Sequence, residues 1–407
     1  MAIKRVILHL GMAKAGSSSI QHTLLNNTTL LEKNGFRYLS EWGVNHLYTF
    51  HNLFSPRTVF PIGTANLGKR PLNLKRKNKK AINAMLRVMN TTKCETLILS
   101  GEYFAELWLD ATLDNIKEFS KNYFQSSGIE TTIIYFIRNP LDWLISSLQQ
   151  QTFTKGFMNK NGDFFEIRMK QYGGFSNLQK HFPDSALLLK FEDACRDEYG
   201  IVGSFLKTIK FPESELKDIN IIRKNESRSM EAMEFINYIE AIEPRYPYAN
   251  YRRFNINRSL KDFKYLLDIK GLKFDLPYES KIELWSRFKD TVNLLKETTG
   301  IDYTDYKITP SPSGQETYSE ETIQNFIDIF PKLSFVLQKH FLKFFEKKYM
   351  ETAQVRFKQL HFKGSIPWRI YKSKNALFCL LGLRIKNKLL EILPYRIRIS
   401  LIQKLGE

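Results

Sequence analysis

The chain has 407 residues, of which 43% are hydrophobic and 14% aromatic, with a formal net charge of +19. That is enough apolar material for one large α/β domain with extensions, or for two domains. Three widely spaced cysteines (Cys94, Cys195, Cys379) show neither metal nor redox spacing, which excludes a disulfide framework and points to a reducing compartment.

Taken in chain order, residues 3–10 read as a buried strand that runs into Gly11-Met12-Ala13-Lys14-Ala15-Gly16-Ser17-Ser18-Ser19, where a helix begins. Helix N-termini carry unpaired N–H groups and positive dipole, so this turn predicts an anion site with Lys14 as a mobile cation. The lysine precedes the second glycine by two residues, so the nucleoside-triphosphate pattern G-x-x-x-x-G-K-[ST] is not met. The first helix is expected over Ser17 to Asn34 and a second strand over Phe36 to Leu39. Residues 41–78, holding His46 and His51, read as an irregular cap over a site mouth, followed by a helix from Lys79 to Met89.

Thr96 to Ser100 reads as a buried strand ending at Gly101-Glu102, and Thr131 to Ile137 as another, ending at Arg138-Asn139-Pro140 before a helix that carries Ser146. Arginine at such a position suits phosphate, because its planar fork donates two parallel hydrogen bonds. A further strand is expected over Ala186 to Phe191, then Glu192-Asp193, a helix over Gly200 to Ile209, and a basic loop Arg223-Lys224-Asn225-Glu226-Ser227. That loop either touches ligand or caps the helix beginning near Met230, through Ser227 or Ser229. Alternating strands and helices imply a doubly wound, largely parallel sheet with ligands at the strands' carboxyl ends.

Two motifs together carry a resemblance. Lys14-Ala15-Gly16-Ser17-Ser18 resembles the 5′-phosphosulfate loop of sulfotransferases that use PAPS (3′-phosphoadenosine 5′-phosphosulfate), with Ala15 where a hydroxyl residue is frequent. Arg138 and Ser146, eight residues apart, are similar to the pair that holds the 3′-phosphate in that family. The resemblance, to bacterial carbohydrate-type members, implies a P-loop-like α/β fold, with PAPS as co-substrate and no metal. The acceptor it implies is a hydroxyl of a cell-surface glycan or glycolipid. It implies a sulfotransferase domain over 1–352 (nucleotide-binding core about 1–240, helical acceptor-binding half about 241–352). Lys14, Gly16, Ser17, Ser18, Ser19, Arg138, Ser146, Arg223 and Asn225 would bind the nucleotide. Glu102 is the expected base, with His46 as the alternative and His51 beside it; His9 points from a core strand and reads as structural. The competing readings are a nucleotide or small-molecule kinase and a catalytically silent glycan- or membrane-binding relative.

No nucleic-acid motif accompanies the basic residues. One concentration, at Lys69-Arg70, Lys75-Arg76-Lys77 and Lys79-Lys80, reads as a solvated helix face or a receiver of an anionic glycan. Another lies in residues 353–407, where cations alternate with large apolar residues. Its longest apolar run is too short to span a bilayer, leaving an anionic membrane surface or packing on the core. The N-terminus enters a core strand almost at once, so the expectation is no leader or anchor, a cytoplasmic location, and possible attachment to the membrane's inner face.

Overall fold

The structure, a computed structural model, describes residues 2–56, 73–103, 107–155, 163–223, 228–242, 265–266, 268–311, 318–333 and 335–348. The basic extension 353–407, Lys69, Arg70 and Asn225 lie outside them.

Five strands, β1 (Arg5–Leu10), β2 (Phe36–Tyr38), β3 (Thr96–Gly101), β4 (Glu130–Ile137) and β5 (Ala186–Lys190), form one sheet in the order β2-β3-β1-β4-β5. Every pairing is parallel; β1 is central, with Val6 opposite Leu97 of β3 and Thr131 of β4. Because β1 has neighbours on both edges, its alternate side chains all meet packed layers, and residues 6–10 are all buried. The α/β, doubly wound expectation holds. The connections from β1 to β2 and from β3 to β4 run in opposite directions across the sheet, so the strand order reverses at β1. The carboxyl ends of β1, β3 and β4 meet there, where open α/β sheets take ligands.

Helices α1 (Ser17–Asn26) and α2 (Thr28–Lys33) replace the single helix expected over 17–34. Asn27 makes the break: its Nδ2 donates to Thr23 O and Asn220 O (2.7 and 2.9 Å), and its Oδ1 accepts from the Asn220 N–H (2.9 Å). The stretch 41–78, expected to be irregular, contains α3 (Leu47–Phe54) and the start of α4 (Leu74–Thr91). α3 has few strong helix formers; burial of Phe50, His51 and Phe54 organises it. The expected helix over 79–89 begins five residues earlier.

Further helices are α5 (Asp110–Tyr123), α6 (Pro140–Lys155), α7 (Asp163–Tyr172), α8 (Gly174–His181), α9 (Phe191–Ala194), α10 (Gly200–Thr208), α11 (Met230–Ile242), α12 (Tyr278–Thr299), α13 (Glu320–Ile329) and α14 (Phe335–Lys348). Packing divides the chain into two units. The first, residues 1–227 with 273–313, contains the sheet; the second comprises 228–272 and 314–407. Residues 273–313, counted in sequence with the segment 241–352, thus belong to the sheet unit, where α12 sets Phe288 against Tyr172 of α7 (ring centroids 5.9 Å apart). In the second unit, α11, α13 and α14 pack through Phe235, Phe326, Phe341 and Phe344. Ser229 caps α11 by accepting the Ala232 N–H (3.1 Å), the simpler of the two roles considered for that loop. Among the described residues no helix is long and apolar enough to cross a membrane.

Candidate active site

The turn after β1 is built by two glycines and a strained lysine. A Cβ at Gly11 would lie 2.3 Å from Ser17 Oγ, so only glycine lets α1 close back over the strand. Gly16 has φ +75°, and a Cβ there would meet Ile201 at 2.9 Å. Lys14 adopts φ 64°, a left-handed conformation costing an ordinary residue roughly 1–2 kcal/mol. Such strain survives where the fold over-determines it, typically at functional positions. Arg138 does so here: one of its terminal guanidinium nitrogens donates to the Lys14 carbonyl at 2.8 Å.

Ser17 differs from expectation. Its buried hydroxyl donates to Met12 O (3.1 Å), so it closes the turn. Ser18 is half-buried and Ser19 buried on the inner side of α1.

The Arg138 turn is fixed from several sides. Asn139 caps α6, its Oδ1 accepting from the N–H groups of Leu141 (2.9 Å) and Asp142 (3.2 Å). Glu192 accepts from the Asn139 N–H (3.0 Å) and from the Tyr303 hydroxyl, which also reaches Ile137 O. Tyr172 donates to Arg138 O (2.8 Å), and the guanidinium lies 5.3 Å from the Phe191 ring centre. An arginine held from several sides loses less conformational entropy when it takes a ligand than a freely rotating one.

Arg138 and Ser146 line one cleft of about 310 Å³, as the eight-residue spacing predicts for a strand end and the second turn of the next helix. The opposite wall comes from Lys273, Phe274, Asp275, Tyr306 and Ile308. Sequence reading missed this wall, with its extra cation Lys273. Its framework is polar and paired: Lys281 Nζ donates to Asp275 Oδ2 (2.5 Å) and Thr309 O (2.6 Å), and the Tyr306 hydroxyl donates to Asp142 Oδ1 (3.1 Å). Arg223, exposed, is not part of this lining.

Glu102 follows β3, and its N–H donates to Asn45 Oδ1 (3.2 Å). Burial pushes its carboxyl above the ordinary carboxylate range, while the charges of Lys14 and Arg168 oppose that rise. Arg168, on α7, was not anticipated: nothing in the sequence near it marks it. Its guanidinium faces the Trp143 ring (5.9 Å) and donates to Gln171 Oε1 (3.0 Å), and burial lowers its pKa to about 10. Lys14, Glu102 and Arg168 thus form one electrostatic group at the ends of β1 and β3.

His46 corrects a sequence expectation. Rather than standing in an open mouth, it is fully buried, stacked on Tyr38 (5.0 Å) and edge-on to Trp42 (5.5 Å). Its Nδ1 accepts the Ser100 N–H at 3.0 Å, and burial holds its pKa at about 3. His46 is therefore a structural acceptor that pins α3 to β3. His51, on α3, is likewise buried. His9, as expected, is structural: buried, with Nδ1 2.7 Å from Ser100 Oγ and a pKa of about 3.

His9 and His46 predict acid lability. The unfolded chain binds protons below its histidine pKa of 6.5, whereas the folded chain resists until about 3. Their contribution is complete above pH 6.5 and is lost as pH falls toward 3, by about 1.4 kcal/mol per pH unit for each histidine. Urea midpoints measured from pH 7 to 4 should fall, and His46→Gln should flatten that slope; an unchanged slope in the variant would refute the assignment.

No family model matches the chain, and no curated protein matches it. Among solved structures it is similar to a sulfotransferase from Alicyclobacillus acidocaldarius, at 12% identity and a TM-score of 0.33, over 63% of this chain and 98% of that one. It is also similar to a sulfotransferase domain from the curacin biosynthetic pathway, at 11% identity and a TM-score of 0.31, over 70% of this chain and 98% of that one.

Proposed function

We propose that the protein is a sulfotransferase that moves the sulfuryl group of PAPS to a hydroxyl of a cell-surface glycan or glycolipid. The observation that carries this reading is the junction of its two anion elements. Arg138 lines a cleft with Ser146 while its guanidinium holds the Lys14 carbonyl of the glycine turn. A nucleotide with phosphate at both 3′ and 5′ positions uses both elements at once.

In this reading the N–H groups at the start of α1 and the Ser18 hydroxyl hold the 5′-phosphate, and Arg138 with Ser146 holds the 3′-phosphate. The acceptor oxygen attacks sulfur in line, the bond from sulfur to the 5′-phosphate oxygen breaks, and the acceptor proton passes to Glu102. The products are a sulfate ester and adenosine 3′,5′-bisphosphate. Lys14 stabilises the charge that grows on the leaving oxygen, a role for a preorganised cation. Positioning of both reactants supplies much of the remaining acceleration.

Incubation with PAPS labelled in sulfur and with glycan extracts should yield labelled glycan, and ATP with magnesium should yield no phosphorylated product. Turnover with ATP and magnesium would establish a kinase instead. Tight binding of adenosine 3′,5′-bisphosphate with no transfer to any acceptor would mark a silent relative.

A further inference from the structure

The first turns of α4 are charged against the interest of the helix itself. Lys75, Arg76, Lys77, Lys79 and Lys80 are all exposed, Arg87 follows two turns on, and the helix contains no acidic residue. Cations at a helix N-terminus oppose its dipole. Lys75 and Lys79, like Arg76 and Lys80, are four residues apart and repel each other along the surface. Among the described residues none of these six side chains forms an ion pair with a carboxylate. The opposite face is firmly seated: Met85, Val88 and Met89 are buried, the Trp42 indole donates to Ala81 O (3.0 Å), and Asn78 Nδ2 donates to Asn52 O (2.9 Å). The exposed half of α4 thus presents a band of cations that extends about 18 Å from residue 75 to residue 87.

We propose that this face of α4 docks a linear acidic polysaccharide. A membrane-surface helix places large apolar residues beside its cations, whereas α4 exposes none. Single-stranded nucleic acid asks for aromatic platforms, and α4 carries no aromatic residue. The position also suits an acceptor chain. α4 packs along α3, whose start is held by Asn45, the residue that accepts the Glu102 N–H. The choice of a polysaccharide rests on the transferase reading, with the chain gripped at α4 while one of its hydroxyls lies at the carboxyl ends of β1 and β3.

Lysine acetylation of the full-length protein, read residue by residue by mass spectrometry, tests the proposal in the presence of dextran sulfate, alginate or neutral dextran. Lys75, Lys77, Lys79 and Lys80 should be protected by both acidic polymers and not by dextran, and about 0.5 M salt should abolish the protection. A variant with all four lysines changed to glutamine should have a thermal midpoint no lower than the parent, because glutamine is as good a helix former and relieves the repulsion, and should bind the acidic polymers about tenfold more weakly. Protection confined to lysines beyond residue 353 would overturn the proposal. So would stronger protection of α4 by phosphatidylglycerol vesicles or by single-stranded DNA than by either polymer. Binding of adenosine 3′,5′-bisphosphate is measured on the same samples and should be equal in both proteins. Its absence from both would count against the transferase reading while leaving the α4 result to stand.

Discussion

Changing Arg138 to alanine is expected to weaken adenosine 3′,5′-bisphosphate by roughly 2–4 kcal/mol, or about 30- to 1,000-fold, measured by calorimetry. On the proposed reading the loss arises because a charged partner of the 3′-phosphate disappears from the cleft that Arg138 lines with Ser146. AMP, which lacks that phosphate, should also weaken, but by only about fivefold, the worth of one hydrogen bond. That smaller effect has its own cause: the variant removes the donor to the Lys14 carbonyl and lets a strained residue relax out of the left-handed region. Equal losses for the two nucleotides would mean that Arg138 only supports the turn. An unchanged AMP affinity would mean that the turn holds without it.

On the proposed reading, Lys14→Ala is expected to lower kcat by about 10²–10³ while weakening PAPS, whose bridging oxygen is still uncharged, by less than about tenfold, since charge grows on that oxygen only as its bond to sulfur breaks. Glu102→Gln should remove turnover and leave bisphosphate affinity intact. A carboxyl base works only when ionised, so with Glu102 in that role the rate should rise with pH through a value above the ordinary carboxylate range. Arg168→Gln removes one of the two cations that favour the carboxylate, and should move this limb to still higher pH. A pH profile indifferent to Arg168→Gln would separate that arginine from the base. A Glu102→Gln protein with wild-type turnover would require another base.

The three central strands were readable because β1, β3 and β4 are apolar runs that end at Gly11, Gly101 and Arg138, and the placement of Lys14, Glu102 and Arg138 at strand ends followed directly. What escaped depended on tertiary closure. α3 has the sequence Leu-Tyr-Thr-Phe-His-Asn-Leu-Phe, weak in helix propensity, and takes its form from the side chains it buries. His46 follows the turn residue Asn45 in a stretch with no strand pattern, yet it packs against Tyr38 and Trp42 in space. Ser17 matched a pattern of phosphate hydroxyls, but the missing Cβ of Gly11 leaves it room to bond Met12 instead. Arg168 and Lys273 belong to no local pattern; each reaches the site only because α7 and the 273–310 segment fold back toward the end of β4.

The order in which the cleft is assembled during synthesis follows from the chain's route. All five strands are complete by residue 190, while the second wall of the cleft ends at Pro310, after the excursion of residues 228–272 into the other unit. At ribosomal speeds of about 5–20 residues per second, the sheet precedes that wall by roughly 6–24 s. A nascent chain in this interval carries the glycine turn and Arg138 but only half of the pocket they serve. A ligand that needs both walls thus reports on completed chains rather than on folded sheets.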